Sequence, residues 1–305
     1  MAEWVERSRG KLAWLREVDR GLAGFGAHSH TYALSAPVAP VVIEAFGDSL
    51  GVAVPADLAD FWTELGGSGA GPGYGICHPR LAEPHRCAEP FPGVTELRRR
   101  AAIADGYQRR EVIEAIEPYT EEHWDDTTIA ALERAAARAG ISVEPTTPVA
   151  SHGYFELPRG EVSGLLSFAH QGCGHWSSIV TCGLQTGQVV EIGSGGGVSD
   201  VAPSFAAFYE DWLDSLVERL ALMVELMSRS RTFEDLRLEY KGRYSTGESP
   251  ETLIASIVEG GSSHQQVGSF TRIVFSSANT QLYEEMLDTW QRSTRRDLPP
   301  APSTR

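Results

Sequence analysis

The amino-acid sequence predicts an α+β fold: helices on either side of an antiparallel strand meander. Apolar residues recur at helical spacing near the N-terminus, between residues 40 and 65, and again from 204 to about 229. Three short β-prone runs lie between residues 162 and 192, joined by glycine-containing turns. Short connections of that kind suit a meander.

Residues 2–24 read as a helix, with Trp4, Val5, Leu12, Leu15, Val18 and Leu22 in helical register and Gly24 and Gly26 ending it. Pro40 opens a second helix carrying Ile43, Phe46 and Leu50 on one side. Pro55 opens a third, in which Leu58, Phe61, Trp62 and Leu65 share a face opposite Asp57, Asp60 and Glu64, and Gly66 suits a C-cap. A glycine-rich loop, "GGSGAGPGYG", follows. Residues 98–126 are charge-segregated: Arg98–Arg100, Arg109 and Arg110 precede an acidic run containing Glu111, Glu114, Glu117, Glu121, Glu122, Asp125 and Asp126. An alanine-rich helix ends at Gly140, and "EPTTPVASHG" reads as a connection. The strands are expected at 162–168, 175–182 and 188–192, with "AHQGCG" and "GLQTG" as turns and "GSGGGVSD" (193–200) as a connector. An amphipathic helix then starts near Ser204, with Phe205, Phe208, Trp212, Leu213, Leu216 and Leu220 on one face. Beyond it come a helix opened by Pro250, a strand at 268–276, a helix at 280–293 and a loose tail.

The 305 residues are enough for a large core, and the balance of apolar and charged residues is that of a globular chain. No run of about 18 apolar residues occurs and no signal segment is evident, so the cytoplasm is the expected compartment. Four cysteines without a C-x-x-C pair read as reduced thiols. The net charge of −15 argues against a direct nucleic-acid ligand, which needs clustered Lys and Arg. It suits a basic protein partner, although acidity also serves solubility alone.

The stretch "GCGHWSS" (172–178), with His170 before it and Cys182 after it, invites a metal or Cys–His reading. On a strand over 175–182, Trp176, Ser178, Val180 and Cys182 share one face, read as core-facing, and His175 lies on the other. Cys182 is then roughly 23 Å from His175 along the strand, too far to share an ion. Cys173 and His175 would stand about 7 Å apart as same-side neighbours, against the roughly 3 Å that a nucleophile and its base require. The stretch therefore reads as a turn entering a strand, with His170, Cys173 and His175 left as an alternative metal or catalytic group. "GDSLG" (47–51) has the G-x-S-x-G spacing of a nucleophile elbow, but Ser49 falls between two helices rather than on a strand-to-helix turn. The loop after Gly66 lacks the strand, spacing and G-K-[ST] of a phosphate cradle, so its glycines read as permitting positive φ and close backbone approach. Tyr74 within it reads equally as core or contact surface.

Two stretches taken together resemble the SUKH superfamily of fungal cell-wall synthesis regulators and bacterial toxin-immunity proteins. The first is "VIEAFGDSLGVAVPADLADFWTELGGSGAGPGYGI" (42–76): a helix, a Val-Pro opening an aromatic-bearing helix, and a glycine-rich loop. The second is "GLLSFAHQGCGHWSSIVTCGLQTGQVVEIGSGGG" with "SFAAFYEDWLDSL" (164–216), a meander followed by a Phe/Trp helix. The resemblance, to a bacterial subgroup, implies a protein-binding α+β domain over residues 31–216, preceded by an N-terminal helix (1–30) and followed by a C-terminal α/β extension (217–305) that it does not cover. It implies a non-catalytic protein of the immunity type that neutralises a cognate toxin, without cofactor, metal or membrane. The expected contact residues are Tyr74, Trp176 and the cluster Glu121, Glu122, Asp125 and Asp126. A scaffold or regulator without a toxin, and a metal protein or enzyme at His170, Cys173 and His175, are the alternatives.

Overall fold

The computed structural model describes residues 2–120, 128–144, 161–193, 198–244, 249–259, 280–293 and 298–304. In chain order its elements are α1 (Glu3–Val18), α2 (Ala27–His30), α3 (Pro40–Leu50), α4 (Ala56–Asp60) continuing into a π-turn (Phe61–Leu65), and β1 (Glu83–His85). There follow α5 (Val94–Gln108), α6 (Arg110–Ile116), α7 (Ile129–Arg138), β2 (Leu165–Gly172), β3 (His175–Val180), β4 (Val189–Ile192) and β5 (Val198–Ala202). The chain continues as α8 (Phe205–Arg229), α9 (Phe233–Arg243), α10 (Pro250–Glu259) and α11 (Thr280–Arg292). The α+β class is as expected, and no helix of the described residues is long and apolar enough to cross a membrane.

Residue contacts divide the chain into two compact units. The first comprises Met1–Ser35, Gly69–Gly75 and Tyr209–Arg305, so the N-terminal segment, the glycine-rich loop and the C-terminal extension belong together. The second comprises Ala36–Ser68 and Ile76–Phe208.

In the first unit, α1 buries Trp4, Val5, Leu12, Leu15 and Val18 on one stripe, and α8 buries Tyr209, Leu213, Leu216, Val217 and Leu220. Burial of such side chains contributes about 1.5–3 kcal/mol each. Polar groups fix the register between the two helices. Arg7 donates to both carboxylate oxygens of Glu210 (2.7 and 3.0 Å), and buried Lys11 pairs with Asp214. Buried Asp19 accepts from Tyr32 Oη (2.5 Å), the Ala23 amide (2.9 Å) and Ser256 Oγ, tying the end of α1 to α10. Further along, Phe233 stacks on Tyr283 (4.8 Å) and joins α9 to α11. The tail was expected to be loose, and Trp14 Nε1 donates to its Pro299 carbonyl (2.9 Å).

The second unit is built on an antiparallel sheet in the order β1-β2-β3-β4-β5, a full meander. Leu165, Val180, Val190 and Val198 pack with Phe91, Val94 and Leu97 of α5 and its approach. Phe168 meets Phe205 and Phe208 edge-on, at 5.1 and 5.7 Å. A smaller core of Tyr107, Val112, Ile116, Ile129 and Leu132 joins α5, α6 and α7.

Several boundaries differ from expectation. Strand β2 starts at Leu165 and runs on through "AHQG", leaving only Cys173 and Gly174 as the turn. The stretch 193–200, expected as a connector, includes the start of β5, and β1 had no signal in the sequence. Gly66 is extended (φ 178°) rather than a left-handed cap, because the helix ends in a π-turn whose last bond runs from the Gly66 amide to the Phe61 carbonyl. On β3 the expected division into a core face and an outer face is absent: Ser177, Ser178, Ile179 and Val180 are all buried. A strand covered on both faces shows no alternation. The expected strand at 268–276 lies outside the described residues.

Candidate functional site

The glycine-rich loop is shaped by close backbone contact. A Cβ on Gly26 (φ 76°) would stand 1.8 Å from the Gly73 carbonyl oxygen, and one on Gly69 (φ 119°) would stand 2.3 Å from that of Ala33. No side chain fits at either place, and both backbones favour glycine. The approach is locked by a bridge between Leu34 and Gly69, by the Ala70 amide donating to Ala33 (2.8 Å), and by Tyr209 Oη donating to the Ala70 carbonyl (2.8 Å).

One consequence is the placement of two aromatic side chains. Residues 70–73 and 75 are buried, yet Tyr74 is 40% exposed. Phe25, just before Gly26, is 63% exposed, and its ring lies 6.1 Å from that of Tyr74, tilted by 49°. Two large aromatic rings therefore sit side by side at the surface of the first unit on backbone that cannot readily shift.

Beneath the loop lies His30, 92% of whose surface is covered. Its ring meets Trp212 edge-on at 6.0 Å, and Nδ1 accepts from the Tyr32 amide (3.1 Å), which places the proton on Nε2. Burial lowers the imidazole to about 4, against a smaller raising effect of its hydrogen bond to the Gly71 backbone and a further lowering by His28. The ring is neutral at pH 7 and braces the loop that carries Tyr74.

In the second unit, Trp176, expected on the core-facing side of its strand and as a contact residue, is half-buried, and its ring meets that of His170 at 4.9 Å. Cys173 and Gly174 form the two-residue turn between β2 and β3, with φ of 50° and 76°. Positive φ at both central residues is the hairpin geometry compatible with strand twist. Cys173 is exposed, and His175 Nδ1 lies 3.4 Å from Glu191 Oε1 across the β3–β4 pair. Among the described residues no three His, Cys, Asp or Glu side chains are placed to hold a metal ion. Ser49 sits near the end of α3, donating to the Phe46 carbonyl (2.7 Å), which is not the setting of a nucleophile elbow. A concavity of about 500 Å³ near the β3–β4 turn is lined by residues including Leu184, Gln188, Asp200 and Val201.

Of the expected contact residues, Tyr74 belongs to the first unit and Trp176 to the second. Glu121, Glu122, Asp125 and Asp126 lie outside the described residues. Sequence reasoning missed Phe25, whose only signal is its position between two glycines. Compared with protein-family models, with curated proteins and with solved structures, the chain gives no match to any of them.

Proposed function

We propose that the chain is a non-catalytic protein-binding module of the immunity type, which binds and neutralises a cognate toxin domain in the cytoplasm. The observation that carries the reading is the Phe25–Tyr74 pair. Rigid, exposed aromatic side chains supply contact area at low entropic cost and are enriched among residues that dominate binding energy. The net charge of −15 favours a basic partner and speeds its approach at low salt. The SUKH-like stretches support the same reading.

The test is affinity capture by the full chain from its native host, with the Phe25→Ser/Tyr74→Ser variant run in parallel. A protein bound by the native chain, released by the variant and toxic when expressed alone meets the proposal. Recovery of the same proteins by both chains, or a partner that is harmless, counts against it.

A further inference from the structure

The segment that leads into α3 is proline-spaced and faces outward. In "APVAP" (36–40), two Ala-Pro dipeptides are separated by one valine. Proline fixes its own φ, and the residue before a proline is pushed into extended conformations. Ala39 shows the result, with φ −62° and ψ 137°, close to the polyproline II values. A helix of that kind has three residues per turn and rises about 3.1 Å per residue, so Pro37 and Pro40 share an edge roughly 9 Å apart. Ala36 and Ala39 share a second edge, and Val38 stands on the third.

Burial follows the same period. Ala36, Pro37, Ala39 and Pro40 are exposed, and Val38 between them is half-buried. The strip is also tied down. The Val38 amide donates to the Trp62 carbonyl (2.8 Å), and the Gly67 amide donates to the Ala36 carbonyl (3.2 Å). Both Ala-Pro dipeptides are therefore presented in a fixed conformation, and little chain entropy is left to lose on binding. Pro40 opens α3, an ordinary structural role, whereas Pro37 lies three residues ahead of that start. Val41, 66% exposed, extends the apolar surface beyond Pro40.

These features select an occupant. A partner strand has little to pair with, because Pro37 and Pro40 have no N–H and the Val38 amide is already used. The strip carries no charged side chain, so nothing in it attracts phosphate. It offers two pyrrolidine rings at three-residue spacing, and the surface that fits them is a groove lined with aromatic side chains. The Phe25–Tyr74 pair of a second copy does not supply that groove. Its rings lie 6.1 Å apart and tilted by 49°, against the roughly 7 Å that a proline held between two ring faces requires.

We propose that residues 36–40 of the second unit are a preformed polyproline II ligand for an aromatic-lined groove on a partner protein. The proposal goes beyond the reading carried by Phe25 and Tyr74 and uses a different surface.

The test titrates the full chain into isotope-labelled SH3 and WW domains, which carry such grooves, and follows the domains by NMR. At least one of them should show shifts centred on the aromatic residues of its groove. Pro37→Ala, which keeps the Pro40 start of α3, should weaken that binding at least about tenfold. Pro203→Ala, at another exposed proline, should bind as the native chain does. Unchanged thermal melting of both variants separates lost contact from lost fold. No binding by any of the domains, shifts away from their grooves, or equal binding by the native chain and Pro37→Ala would overturn the proposal. Self-association of the native chain that Pro37→Ala abolishes, read by sedimentation, would assign the strip to a second copy and overturn it too. Phe25→Ser/Tyr74→Ser should bind the groove domains as the native chain does. A toxin captured through Phe25 and Tyr74, with no groove domain bound, defeats the strip alone. Groove binding with no toxin captured defeats the toxin reading alone.

Discussion

Acidification should loosen the loop that carries Tyr74, through His30. The folded protein holds this imidazole at about 4, below its ordinary 6.5, and the first cause is burial. A group of this kind binds fewer protons in the folded state than in the unfolded chain, so stability falls as pH falls. Its contribution is complete above the ordinary value, is withdrawn as the pH drops from there, and the penalty reaches its limit below about 4. The full gap corresponds to about 3 kcal/mol, and at about pH 5 roughly 2 kcal/mol of it is felt. Carboxylates titrate in the same range, so the assay is a comparison. Urea unfolding midpoints are measured at about pH 7.5 and about pH 5 for the native chain and for His30→Asn, whose side-chain oxygen can take the Tyr32 amide in place of Nδ1. The native chain should lose about 2 kcal/mol more than the variant across that interval. Equal losses would show that His30 is not held neutral under the loop.

Two further perturbations follow from the structure. Asp214→Ala should cost about 3–5 kcal/mol, because Lys11 is buried and loses its counter-charge, whereas Lys11→Met/Asp214→Leu should be close to neutral; chemical denaturation of both variants checks the contrast. Cys173→Asn should raise stability by up to about 1 kcal/mol, because asparagine tolerates the left-handed backbone of the β2–β3 turn better than cysteine does. A shift of the melting midpoint in the other direction would contradict that assignment of the turn.

The helices were legible where one stripe meets the core, as in α1, α3, α8 and α11, since burial on one side leaves a 3.6-residue period in the sequence. Strand β3 was located, but its faces were not, because covering both sides removes the period-two signal and even Ser177 and Ser178 are buried. The short edge strand β1, three residues including Pro84, has too little length to leave a pattern. Tyr74 was found through the glycines around it. Phe25 was missed because its partnership depends on Gly26 meeting Gly73, a contact between residues 47 positions apart.

The most direct test of the central claim is an equilibrium titration of the captured partner against the native chain and against Phe25→Ser/Tyr74→Ser. If the aromatic pair is the binding centre, each truncation should cost about 2 kcal/mol and the double variant should bind at least about a hundredfold more weakly, with its melting temperature unchanged. A double variant that folds normally and binds as tightly as the native chain would contradict the account.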